Sequence, residues 1–101
     1  MLKVLRKKID EVDYKITRLL GSRFGLTKKV GEYKKENKLN ACDPKREFQM
    51  MKERMEWAKE NNLNPKFIIK LFKNIIAEVK KEHKKIKSVN SILSALARDS
   101  K

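Results

Sequence analysis

Cysteine, glycine, proline and aromatic side chains are all scarce in this chain, and each scarcity removes a class of structure. A single cysteine, Cys42, excludes an internal disulfide and any metal site built on several thiolates. Three glycines and two prolines are too few for an all-β sandwich or barrel, which needs a turn signal every ~8–12 residues. Aromatic residues are 7% of the chain, which leaves little for stacking on nucleic-acid bases. No long apolar run is present, so neither a transmembrane helix nor a signal-peptide core is expected. The expectation is a cytoplasmic protein without a membrane partner. A Gly-rich phosphate loop, a nucleophile elbow and a His/Asp/Glu cluster at metal-ligand spacing are also missing. No cofactor or metal is therefore expected.

Acidic residues are outnumbered. The chain has 13 Asp or Glu against 27 Lys or Arg, a formal net charge of +14 over 101 residues. Such a charge suggests nucleic acid or another anionic surface. Yet 21 of the basic residues are Lys and six are Arg. Lys spread over solvated helix faces accounts for most of the charge, and a Lys-rich, Arg-poor surface is a poor reader of bases. The six arginines, Arg6, Arg18, Arg23, Arg46, Arg54 and Arg98, are more informative, because guanidinium suits bidentate recognition of carboxylate or phosphate.

Both prolines follow a helix N-cap residue, in Asp43-Pro44 and Asn64-Pro65. They divide the chain into three predicted helices, roughly 2–38, 44–61 and 65–87, with short connectors as in a helical bundle. The first carries apolar residues three and four apart: Leu2, Leu5, Ile9, Val12, Ile16, Leu19, Leu26, Val30 and Tyr33. This heptad seam predicts one long rod that two shorter helices cannot cover, and hence pairing with a second copy. The competing expectation is a break near Gly21 and Gly25, giving a monomeric hairpin. Helix two is expected to bury Phe48, Met51, Met55 and Ala58. Helix three is expected to bury Ile68, Phe72, Ile75, Val79, His83 and Ile86. Beyond Lys87, the residues Val89, Ile92, Leu93, Leu96 and Ala97 either extend helix three or dock back on the bundle.

Polar groups on these apolar faces are the sharpest clue. Arg23 sits where the heptad calls for a hydrophobe, and a buried guanidinium is costly unless paired. Lys34 lies about three turns later on the same face. His83 interrupts the apolar face of helix three, and Glu47 borders that of helix two. One reading is a buried salt bridge, Arg23 with Glu47 for example. The joint pattern favours a polar pocket between facing helices, cationic enough to hold a small anion.

These residues also carry a family resemblance. Leu5-Arg6-Lys7-Lys8-Ile9-Asp10 with Val12-Asp13, then Leu19-Leu20, Arg23, Val30-Gly31 and Lys34, resembles the opening of the all-helical (AroQ-class) chorismate mutases. Asp43-Pro44-Lys45-Arg46-Glu47 resembles the family's Asp-x-x-Arg-Glu pattern at the start of helix two, and Leu71-Phe72 with Ile75-Ile76 fits its third helix. The resemblance covers about residues 3–87. It implies an all-α, three-helix fold with a long first helix, in an intertwined homodimer with shared active sites. The division it implies is a mutase domain over residues 1–87 and a C-terminal helical extension or tail over 88–101.

The resemblance further implies the rearrangement of chorismate to prephenate, on the route to phenylalanine and tyrosine. Arg23 would hold a substrate carboxylate from its own chain, and Arg6 would reach another from the partner. Lys34 would contact a carboxylate and the ether oxygen. Asp43 and Glu47 would flank the substrate hydroxyl, and Arg46 would line the site. The chain departs from the family twice. His83 stands where a Gln or Glu usually donates to the ether oxygen, and Val79 stands where many members have a polar residue. A histidine ring nitrogen can donate, so His83 is assigned that role. Two alternatives remain: an isochorismate-pyruvate lyase of the same fold, or a non-enzymatic basic helical dimer that binds nucleic acid or a partner helix. The acidic pair Asp43 and Glu47 favours the mutase over the lyase.

Overall fold

The computed structural model describes the backbone of residues 1–40 and 42–99 and the side chains of residues 1–40 and 42–82. Three helices follow in chain order, α1 (Leu2–Glu36), α2 (Pro44–Glu60) and α3 (Pro65–Asp99). No strand occurs among the described residues, and none of their helices is long and apolar enough to cross a membrane.

The helix boundaries follow from local chemistry. Asp43 caps α2, its Oδ1 accepting from the Arg46 backbone N–H at 3.1 Å, with Pro44 in the first turn. Asn64 does the same for α3, accepting from the Lys66 N–H at 3.0 Å. Both α1 and α2 end in a left-handed residue, Lys38 (φ 54°) and Asn62 (φ 57°). The Leu39 N–H then reaches the Lys34 carbonyl, and the Leu63 N–H the Ala58 carbonyl, each at 2.8 Å. These are Schellman closures that satisfy the last carbonyls of each helix.

α1 is unbroken through Gly21 and Gly25. A Cβ at either position would meet nothing within 4 Å, so these glycines form no close contact in the single chain. The hairpin alternative is thereby set aside. α3 runs past the expected end at Lys87 to Asp99. No proline or glycine follows Pro65, and the apolar spacing of residues 89–97 continues the helical period.

The core lies between α2 and α3. Met50, Ala58, Ile68 and Ile75 are the buried hydrophobic residues among those described. Met51, Met55, Phe72 and Val79 are half-buried. The expected face of α2 is corrected in one respect: Phe48 is 72% exposed, whereas Met50 is buried. The packed face is rotated about the helix axis toward Glu47, Met50 and Arg54, because the backbone of α2 comes close to α3 and not to α1. Ile86 and the side chain of His83 lie outside the described residues.

α1 buries no residue. Its seam is open along its length, from Leu5 at 47% to Leu19 at 69% exposed. The radius of gyration is 18.6 Å, against about 13 Å for a compact domain of this length. The accessible surface is 9279 Å², where a compact monomer of this mass would expose about 6,000 Å².

Candidate active site

Of the polar residues singled out above, Arg23 of α1 lies beside Arg46 of α2 and against Phe72 of α3. Arg23 descends from α1 and is half-buried, its guanidinium carbon 5.8 Å from the centre of the Phe72 ring on α3. Its Nη1 is buried and has no hydrogen-bond partner. Burial pushes its pKa below the ordinary arginine value, and the charge of Arg46 adds to the shift. An unsatisfied, half-dry cation next to another cation favours the approach of an anion.

α2 supplies the second wall. Arg46 and Glu47 occupy its first turn, placed by the Asp43 cap. Glu47 does not pair with Arg23 as the simplest salt bridge would have it. Its Oε1 faces Lys80 Nζ on α3 at 3.7 Å, and both side chains are substantially exposed. Such a pair contributes about 0–1 kcal/mol and is easily exchanged for another partner. Lys34 is half-buried in the last turn of α1, in the turn that its own carbonyl helps close. Val79 is half-buried on α3, adjacent to Lys80. His83 is one turn further along α3, outside the residues whose side chains are described.

Arg6 does not join this group. It is exposed near the start of α1, and the 17 positions separating it from Arg23 span about 25 Å of straight helix. That is several times the reach of an arginine side chain, so one chain does not bring Arg6 and Arg23 to a common ligand.

Arg54 belongs to the cluster, although sequence reasoning placed it only among the arginines. Its guanidinium carbon lies 4.9 Å from the Phe72 ring centre and 4.8 Å from that of Trp57. Its Nη1 donates to the Met50 carbonyl at 3.2 Å, while its Nε is buried without a partner. Burial lowers its pKa most, followed by the charges of Arg23 and Arg46, with Glu53 opposing. The signal was available in the spacing: Glu47, Met50 and Arg54 are three and four residues apart and share a face of α2.

A shallow hollow elsewhere is lined by Lys7, Asp10, Glu11, Tyr14, Lys15 and Arg18. It lies on one helix, with Arg18 stacked on Tyr14 at 6.0 Å. It contains none of the clustered groups.

Known proteins resemble the chain over most of its length. The family model described as chorismate mutase type II matches residues 5–84. The chain is 38% identical over 72 residues to a chorismate mutase of Methanocaldococcus jannaschii, covering 71% of this chain and 73% of that one. It is 34% identical over 85 residues to a bifunctional chorismate mutase/prephenate dehydratase of Buchnera aphidicola, covering 84% of this chain and 22% of the relative. It is also 35% identical over 72 residues to an isochorismate pyruvate lyase of Pseudomonas aeruginosa, covering 71% of this chain and 70% of that enzyme. No solved structure matches. With residues 5–84 matched by the family model and a 38% identical relative covered over most of its length, the chain belongs to the chorismate mutase type II family.

Proposed function

We propose that this protein is a chorismate mutase whose site is completed by a second copy of the chain. The observation that carries the reading is Arg23: a half-buried guanidinium with an orphaned Nη1, flanked by cations. The enzyme rearranges chorismate to prephenate. One C–O bond breaks and one C–C bond forms within a single molecule, so no nucleophile and no cofactor are needed. The protein contributes by holding a flexible dianion in its compact reactive shape. It also stabilises the negative charge that grows on the breaking ether oxygen, using donors fixed in a dry pocket.

In this reading Arg23 binds one carboxylate, and Arg6 of the other chain binds a carboxylate across the interface. Lys34 donates to the ether oxygen and a carboxylate, with His83 as second donor. Asp43 and Glu47 flank the hydroxyl, and Arg46 and Val79 line the pocket. Asp43 already uses one carboxylate oxygen as a helix cap. Glu47 makes an exposed ion pair with Lys80, which a substrate hydroxyl can replace at little cost.

A homodimer is supported by the exposed apolar seam of α1, by the large accessible surface and by the distance separating Arg6 from Arg23. Substrate and product are small anions, so neither nucleic acid nor membrane enters the reading. A cytoplasmic location is part of the same proposal, and the free thiol of exposed Cys42 is in keeping with it.

The lyase is the second reading, because one relative carries that name. Purified protein is mixed with chorismate, and with isochorismate, and absorbance is followed with product analysis. Loss of chorismate with appearance of prephenate, abolished in Arg23→Ala, is expected. Pyruvate from isochorismate, without turnover of chorismate, would replace the mutase by the lyase.

A further inference from the structure

We infer that Arg54 is a positioning residue, which keeps the Arg23 guanidinium turned toward the substrate carboxylate; this rests on the role proposed for Arg23. The two guanidinium groups come from different helices and meet at one ring, Phe72. Only one of them is anchored. Arg54 donates from Nη1 to the Met50 carbonyl and lies against the faces of both Trp57 and Phe72. Arg23 has the Phe72 ring and a buried Nη1 without an acceptor.

A long side chain with an unsatisfied buried donor turns toward any acceptor it can reach. The Met50 carbonyl is the acceptor used in this cluster, and Arg54 occupies it. Arg54 also contributes a fixed positive charge that repels Arg23 from that side. Arg46 contributes a second one, since its charge acts on both Arg23 and Arg54. Arg23 is thus bracketed by cations, and the groups around it leave an arriving anion as its best partner. A neutral residue at position 54 would vacate the carbonyl and remove the repulsion. Arg23 could then settle inward, away from the ligand. The consequence is weaker ground-state binding of a dicarboxylate, with the chemical step little altered once substrate is bound.

The test is a double-mutant cycle in full-length protein: wild type, Arg54→Met, Arg23→Lys and the double variant, with Arg54→Lys as the conservative control. Chorismate turnover gives KM and kcat separately. Thermal stabilisation by malonate, a dicarboxylate that does not react, is read in parallel. The expectation is a rise in KM of about tenfold for Arg54→Met with kcat within about threefold, and partial recovery in Arg54→Lys. In the Arg23→Lys background the same substitution should change KM by less than about twofold. A merely structural role would lower Tm and leave KM unchanged, which overturns the inference. An equal rise in KM in both backgrounds also overturns it, because Arg54 would then act independently of Arg23. If Arg54→Met does not fold, Arg54→Gln takes its place in the cycle. A wild type that is stabilised by malonate but does not consume chorismate refutes the mutase reading alone, and the coupling is then read from the malonate shifts. A wild type that does neither overturns both.

Discussion

The separation of Arg6 from Arg23 along a straight helix yields a quantitative prediction. The two residues are 17 positions apart on α1, about 25 Å; in the proposed two-fold dimer each site takes Arg23 from one chain and Arg6 from the other. Arg6→Ala and Arg23→Ala should each disable both sites of their own homodimer. Removing one partner of a desolvated charge contact costs about 2–5 kcal/mol, a rate loss of roughly 30- to 5,000-fold. When the two inactive variants are mixed, unfolded and refolded together, half of the dimers are expected to be mixed. In each mixed dimer one site has both arginines intact and the other has neither. Activity should therefore return to roughly a quarter of that of the wild type at equal chain concentration, as two-fold symmetry requires. The assay is loss of chorismate absorbance before and after co-refolding, with each variant refolded alone as control. No recovery, with mixed dimers verified by mass, would refute the shared site. Full activity of either variant alone would remove that arginine from the mechanism.

Two further outcomes can be checked directly. Lys38 holds a left-handed conformation (φ 54°) at the end of α1, which costs a side-chain-bearing residue about 1–2 kcal/mol. Lys38→Gly should recover part of this and raise Tm by about 4–8 °C per kcal/mol regained, measured at fixed chain concentration; an unchanged or lower Tm would contradict the Schellman closure. His83, as second donor to the ether oxygen, should be replaceable by another donor: His83→Gln should keep kcat/KM within about tenfold of the wild type, and His83→Ala should lower it by about 10²-fold or more. An intact rate in His83→Ala would remove it from the site.

Much of the fold was legible because its signals are local. Pro44 and Pro65 follow their caps directly, and a cap is a contact between residues two or three positions apart. The length of α1 was legible from nine apolar residues in a single register. What escaped was anything that depends on how a helix is rotated against its neighbour. Phe48, Met51, Met55 and Ala58 have helical spacing, yet the face that packs is turned toward Met50. Spacing fixes a stripe and leaves its centre to the packing partner. Glu47 was placed at the edge of the core correctly, but its ion-pair partner, Lys80, comes from a helix that no sequence distance connects to it. Arg54 was visible as a charge and not as a member of the site, because its burial depends on Phe72 and Trp57 closing over it.

The sequence by itself therefore determined three helices, the family and an identity for most of the cationic residues, since turn chemistry, heptad spacing and short motifs are properties of neighbours along the chain. Tertiary structure alone decided which cations lose their water and which keep it. Arg23 and Arg54 share one aromatic ring, whereas Arg6 remains in solvent about 25 Å away along α1. That difference arises from desolvation and like-charge repulsion between separate helices, which residues far apart in sequence create only when the chain has folded.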